Sequence, residues 1–268
     1  MVLYNHQLGR EWIQMLTEER FSTILQILNE QKAATVTELA EKLQVSESTI
    51  RRDLIALDKA GRLCKVHGGA TVNGNTYITT EEDVPTKQDQ HIDEKSRIGQ
   101  MAASLIEPDD FIYIDAGTTT LRLIDYLKTS ELQEVIFVTN GIQHAAKLAA
   151  AGLKAYILGG RFKSSTQAVI GTEALKNLAR YHFTKGFFGS NGISATAGYS
   201  TVDFSESNVK AEAMAHCRQR YILADSSKFK RVFPVTFGQL EDAAIITDNL
   251  PDPKYSKLTT IIKAGEEK

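Results

Sequence analysis

The sequence predicts an α/β chain in two parts, an N-terminal winged helix-turn-helix and a C-terminal doubly wound, mostly parallel sheet. Three observations predict it. Two short amphipathic stretches are separated by Gln44 and Val45 alone, an alternating ribbon comes after them, and further on short apolar runs take turns with helical stretches.

The second amphipathic stretch is VSESTIRRDLIALDKAG, residues 45–61. At about 100° per residue from Ile50, Leu54, Leu57 and Ala60 fall near one meridian, and Ser48, Arg51, Arg52, Ile55 and Lys59 on the far, cationic side. Ser46 is placed to cap this helix and Gly61 to stop it. Upstream, Leu39, Ala40 and Leu43 recur at helical spacing after Thr37. Helices joined by so tight a turn cross steeply, which projects Ser48, Thr49, Arg51 and Arg52 from the N-terminal end of the second one, the end that reaches base edges. An ordinary core helix with a solvated cationic face is the competing reading, and the ribbon downstream of the helix shifts the balance. LCKVHGGAT alternates at period two from Leu63, a short wing with Lys65 and His67 on one face. Arg51, Arg52, Lys59, Arg62 and Lys65 outnumber Asp53 and Asp58, a local surplus that suits phosphate contact.

From Glu18, the stripe Phe21, Ile24, Leu25 and Leu28 supplies the third helix that such a unit needs to close a core. Residues 1–16 read as an extension, with Met15 an alternative start. The winged unit covers 17–72, a polar linker 73–92 and the second domain 93–268. That domain opens on a helix over 93–106 carrying Ile98, Met101, Ala102 and Leu105. The runs FIYI, VIFV, AYIL, GFFG, YILA and AAIIT then alternate with helical stretches at 121–128, 142–150, 171–181 and 206–220, the pattern of a parallel sheet covered on both faces.

Composition narrows the function. A chain of 268 residues, 42% hydrophobic, supports a core in each part, and a formal charge of −2 means that nucleic-acid binding must come from a local patch. Cys64 and Cys217 make neither a disulfide framework nor a zinc site, which points to a reducing cytoplasm, and the histidines show no ligand spacing, so no metal is expected. No run approaches the ~20 apolar residues that cross a bilayer, so no membrane partner is expected.

In an open parallel sheet ligands collect beyond the carboxyl ends of the strands. FIYI is followed by Asp115, Ala116, Gly117, Thr118, Thr119 and Thr120, a turn with three hydroxyls at a helix N-terminus, suited to phosphate; a plain capped βα turn is the alternative. The other strand ends offer Thr139-Asn140-Gly141, Gly159-Gly160-Arg161, Ser190-Asn191-Gly192 and Asp225-Ser226-Ser227-Lys228, a mixture that fits a phosphorylated polyol. Arg161 and Lys228 are placed to neutralise the phosphate, and Asp115, Asn140, Asn191 and Glu206 to take hydroxyls; Gly160, Thr139 and Lys210 complete the set. No G-x-G-x-x-G, P-loop or G-x-S-x-G motif follows any strand, so neither a nucleotide cofactor nor a serine nucleophile is expected.

Together these motifs resemble the DeoR family of bacterial transcriptional regulators over residues 18–262. At the N-terminus the likeness rests on Glu19-Arg20, ELAEKLQVSESTIRRDL, LDKAGRL and VHGGA, and in the second domain on DAGTTT, VTN, LGG, GSNGIS and ADSSKF. The resemblance implies that Ser46, Ser48, Thr49, Arg51, Arg52, Lys65 and His67 meet operator DNA. It also implies a domain similar in fold to sugar-phosphate isomerases that senses a phosphorylated sugar, assembly as a homodimer or homotetramer, and repression of a sugar-use operon. GSNGIS with GYSTVDFSESNVKAE is most like the fructose-operon and lactose or tagatose branch, which makes a fructose phosphate the first effector to expect. Lys65 departs from the family's usual arginine and stands beside an unusual Cys64; lysine reads guanine less well but serves as a phosphate contact. The rival is an isomerase with Asp115 or Glu206 as base and Lys210 or Lys228 as stabiliser, which would have no need of a winged helix. An activator is as compatible with these residues as a repressor.

Overall fold

Ile24 and Leu28 turn inward from helix α1 (Thr17–Gln31), with Phe21 and Leu25 packed beside them, and the periodic stripe becomes one wall of the first core. The computed structural model describes residues 17–31, 33–60, 62–66, 68–72 and 87–265. The chain divides into two units, Met1–Thr76 and Tyr77–Lys268. In the first, β1 (Ala33–Thr35) runs into α2 (Val36–Leu43), Gln44 turns the chain in the left-handed region at φ 52°, and α3 (Glu47–Lys59) comes next. Leu39, Leu43, Ile50, Leu54 and Leu57 close the core against Leu63 and Ala70.

Strands β2 (Leu63–Val66) and β3 (Gly69–Val72) form the expected antiparallel wing. The sequence reading missed β1, which pairs with β3 and makes the wing three-stranded; three residues are too few to show a period. Gly69 is required there, because a Cβ would stand 2.2 Å from the Ala34 carbonyl oxygen. Helix α2 begins before Thr37. Thr35 caps it and Glu38 answers in a capping box, while the Thr37 hydroxyl donates to Glu47 at 2.9 Å. Ala60 leaves the buried meridian as the exposed C-cap of α3, and Asp53 is buried instead. Gly61, His67, residues 1–16 and residues 73–86 of the expected linker lie outside the described residues.

The second unit opens on α4 (Ile92–Ala103) and continues β4 (Phe111–Ile114), α5 (Thr118–Leu123), β5 (Ile136–Thr139), α6 (Ile142–Ala150) and β6 (Lys154–Ile157). A hairpin of β7 (Arg161–Lys163) and β8 (Ala168–Ile170) precedes α7 (Thr172–Leu178) and β9 (Phe183–Gly189). Then come β10 (Gly192–Ser194), β11 (Gly198–Thr201), α8 (Phe204–Ala215), β12 (Cys217–Leu223), β13 (Val235–Gly238), β14 (Ala244–Thr247) and β15 (Ile261–Lys263). Seven strands make one parallel sheet, in the order β15-β14-β12-β9-β4-β5-β6.

Alternate strand residues feed opposite cores, which is why the runs read as continuously apolar. Ile112, Ile114 and Phe187 pack with Ile98, Leu123 and Leu148 of α4, α5 and α6; Tyr113 and Phe188 pack with Leu178, Val209 and Ala213 of α7 and α8. Two expected elements shift. The helix read over 206–220 stops at Ala215, because Cys217 enters the core and pairs with Phe183, and the exposed Arg218 and Gln219 hid the strand from a search for apolar runs. The helix read over 121–128 starts at Thr118 and ends in a tighter turn, Ile124–Tyr126. The small antiparallel sheet β10-β11-β13 and the edge strand β15 were not foreseen.

Candidate nucleic-acid interface and ligand crevice

The start of α3 is a cluster of hydroxyls. Ser46 accepts from the Thr49 amide at 3.2 Å, and its oxygen lies 2.8 Å from that of Ser48 and 2.9 Å from that of Thr49. One turn on, Arg51 is exposed but donates to Glu47 at 2.6 Å; Arg52 is exposed with no polar partner among the described residues. Of the two arginines, Arg52 is therefore the more available to an incoming anion. Lys65 is exposed on the wing, and its amide donates to the Asp58 carboxylate at 2.9 Å, which ties the wing to α3. On the inner side Asp53 receives the Arg20 guanidinium through both oxygens, at 2.8 and 3.1 Å, and holds α3 to α1. This pair was missed, although Arg20 and Asp53 both stand in motifs that carried the resemblance; an ion pair across 33 positions leaves no local pattern.

In the second unit the chain winds outward from β4 through β5 to β6 on one side, and from β9 through β12 to β15 on the other. The β4/β9 junction is the switch point where an open sheet makes its crevice. Asp115 stands there, buried, accepting from the Gly189 amide at 3.1 Å and from the ammonium of Lys210, which reaches in from α8 and also donates to the Gly189 carbonyl at 3.1 Å. Burial pushes the Asp115 carboxyl above its usual range, against the pull of Lys210 and the backbone amides. Beside it Asn140 accepts from the Ala116 amide at 2.8 Å, and Thr139 accepts from Gly141 at 3.0 Å.

The three threonines differ. Thr120 is buried, with its hydroxyl on the Asp115 and Gly117 carbonyls and 3.0 Å from His144 Nε2; burial pushes His144 down to about 3, so its ring is neutral. Thr119 is buried, whereas Gly117 and Thr118 are half-exposed and Thr118 has no side-chain partner among the described residues. Of the three, Thr118 alone is not buried.

Positive charge gathers at one end of the crevice. Lys95 is buried in α4 and donates to the Lys87 carbonyl. Burial, with repulsion from Lys228, Arg122 and Lys87, pushes Lys95 down to about 8, opposed by Asp225. Asp225 is buried too: burial works to raise its carboxyl, but Lys228 at 3.8 Å and the Ser227 hydrogen bonds outweigh it and hold the group below its usual range. Its Oδ2 has no hydrogen-bond partner among the described residues. Gly99 lets α4 lie close against α5, since a Cβ there would come within 2.8 Å of the Arg122 backbone. Lys95 was missed, yet a signal existed: it keeps helical register with Ile98 and Ala102, a cation on a buried face.

Other expected ligand residues are placed apart. Glu206 accepts from Lys163 at 3.0 Å and from Thr166 at 2.5 Å, which fastens the β7–β8 hairpin to α8, and Asp203 caps that helix while pairing with Lys163 at 3.3 Å. Asn191 accepts from Thr201 at 3.2 Å. Gly160, at φ 149°, leaves room for the Ile170 carbonyl, 2.7 Å from where a Cβ would stand. Arg161 is exposed on β7 of the separate hairpin, and Lys228 follows β12 of the main sheet. Among the described residues no contact joins them. No group of histidine, cysteine or carboxylate side chains there could hold a metal, and no helix there is long and apolar enough to cross a membrane.

Comparison with known proteins places both units. Residues 20–76 match the DeoR-like helix-turn-helix domain, and residues 90–249 the DeoR C terminal sensor domain. The chain is 38% identical over 250 residues to the uncharacterized HTH-type transcriptional regulator FruR of Bacillus subtilis, covering 92% of this chain and 98% of that one. It is 34% identical over 246 residues to the lactose phosphotransferase system repressor of Streptococcus mutans, covering 91% and 97%. Among solved structures, ribose 5-phosphate isomerase a of Methanocaldococcus jannaschii aligns with a TM-score of 0.39 and 14% identity over 52% of this chain and 55% of that one. A capped recognition helix, a wing, a parallel-sheet sensor unit and both family matches agree: the chain belongs to the DeoR family of transcriptional regulators.

Proposed function

We propose that this protein represses a sugar-utilisation operon, gripping operator DNA as a homodimer or homotetramer and releasing it when a phosphorylated sugar occupies the strand-end crevice. The observation that carries the DNA half is the outer face of α3, where Ser48, Arg52 and Lys59 stand exposed while Ile50, Leu54 and Leu57 are consumed in the core. In this reading Ser48, Thr49 and Arg52 meet bases, and Arg51 and Lys65 meet phosphates or the groove edge.

Support for an anionic effector comes from Lys95 and Lys228 about a buried Asp225, next to the strand ends where Asp115, Thr118 and Asn140 offer polar groups. The phosphate sits at that cation cluster and the sugar hydroxyls toward Asp115 and Asn140. Binding favours an arrangement of the assembled sensor units whose recognition helices no longer match two half-sites. The likeness of GSNGIS and GYSTVDFSESNVKAE to the fructose-operon and lactose or tagatose branch makes a fructose phosphate the first of the panel to test.

The isomerase reading finds little support, since an isomerase has no need of a winged unit and the relatives named above are regulators. Turnover assays on pentose and hexose phosphates are expected to show no conversion. The decisive test is a gel shift on duplex from the protein's own promoter region, with calorimetry on the sugar-phosphate panel. Arg52→Ala is expected to lose DNA retention and keep effector binding; retention by that variant would reject the assignment of α3.

A further inference from the structure

Among the described residues of the first unit, the large hydrophobic side chains left exposed are Ile55, at 43%, and Val66, at 38%. Both lie on the elements a winged helix presents to DNA, Ile55 on α3 and Val66 on the wing strand β2. Neither is needed inside, because Ile24, Leu28, Leu39, Leu43, Ile50, Leu54, Leu57 and Leu63 already close the core.

The position of Ile55 is specific. At about 100° per residue it lies within roughly 20° of Ser48, 40° of Lys59 and Arg51, and 60° of Arg52 around the helix axis, the centre of the cationic face. Rising about 1.5 Å per residue, it sits about 12 Å beyond Glu47, two turns into a groove the helix would enter by its N-terminus. A β-branched residue at an exposed helical site gives up side-chain freedom and gains no burial in the free protein. The surface that would cover it must be apolar at one point and anionic all round, since exposed Arg51, Arg52 and Lys59 frame it. A major groove meets both demands: phosphates line its walls, and the one apolar group on its floor is the C5-methyl of thymine.

We infer that Ile55 is a specificity-determining residue that reads a thymine methyl in each operator half-site. This rests on the reading of α3 as the recognition helix. Arg52 and the hydroxyls of Ser48 and Thr49 supply grip and polar readout, and Ile55 adds discrimination one turn deeper. A partner protein against the same face would have to be strongly acidic around an apolar centre, and would not depend on a base methyl.

The test uses the full-length chain and a duplex selected for tight binding from a random library. Each thymine in turn is replaced by deoxyuridine, which removes only the methyl. The wild type is expected to lose about fourfold in affinity at one thymine per half-site, the weight of one buried methyl group. Ile55→Ala is expected to bind thymine and uracil duplexes equally there, while its salt dependence stays that of the wild type, because no phosphate contact is lost. Indifference of the wild type to every uracil, or an undiminished methyl preference in Ile55→Ala, overturns the proposal. Retention of DNA by Arg52→Ala would instead overturn the reading of α3, a separate result from either of these. Thermal melting of Ile55→Ala, with its side chain outside the core, checks that the unit folds.

Discussion

Replacing Arg20 by alanine tests how the recognition helix is held. The guanidinium meets Asp53 through two parallel hydrogen bonds, and the two side chains are only 12% and 7% exposed. Without Arg20 the carboxylate stays buried with its countercharge gone, which costs about 3 kcal/mol, the low end of the range for a broken buried pair because some water still reaches it. A domain this small holds roughly 5 kcal/mol in total, and each kcal/mol moves its melting point by about 4–8 °C, so the transition falls by about 12–24 °C. Differential scanning calorimetry on the full chain reads this directly: the first unit's transition drops while the sensor unit's stays, and DNA retention fails above the lowered transition. Arg20→Leu combined with Asp53→Leu removes both charges and is expected to recover most of the loss. If Arg20→Ala melts within about 2 °C of the wild type, or the double variant is no better than the single one, the pair does not hold the helix and the reasoning fails.

Two further outcomes are expected from the same structure. Thr35→Ala removes the hydroxyl that caps the Glu38 amide on α2, leaving the Thr35 amide still bonded to Glu38, and is expected to cost the first unit about 1 kcal/mol, read as a lower urea midpoint with an unchanged slope. Lys95, pushed down to about 8 by burial and by Lys228, Arg122 and Lys87, regains its proton when an anion arrives, so phosphate-bearing ligands bind with proton uptake near pH 8 and more weakly as pH rises above it. The sign for folding is the reverse: between about 8 and the ordinary 10.5 the unfolded chain holds the extra proton, so this group's contribution to stability increases with pH. Calorimetry at pH 7 and 9 in buffers of different ionisation enthalpy measures the uptake, and Lys95→Met should abolish it.

Legibility in the sequence tracked the range of each interaction. The stripe on α3, its Ser46 cap, the short turn at Gln44 and Val45 and the apolar strand runs are local patterns, and each appears in the structure. The strands that escaped notice, β1, β7, β8, β10 and β11 among them, are three or four residues long, and the polar start of β12 resembled the tail of a helix. Within the crevice, residue types at strand ends were readable, but their commitments were not. Thr120, Asn191 and Glu206 look like open donors and acceptors in a string of letters, and all three are engaged elsewhere in the fold.

By itself the sequence determined the two units, the helix that presents Arg52 and the strands of the parallel sheet, because capping, periodicity and turn chemistry act over a few residues. Only the tertiary structure decided which charges stand open and which are spent. Lys210 meets Asp115 across 95 positions and Lys95 comes to lie by Asp225, and whether a buried charge is partnered depends on packing that brings distant segments within a few ångströms.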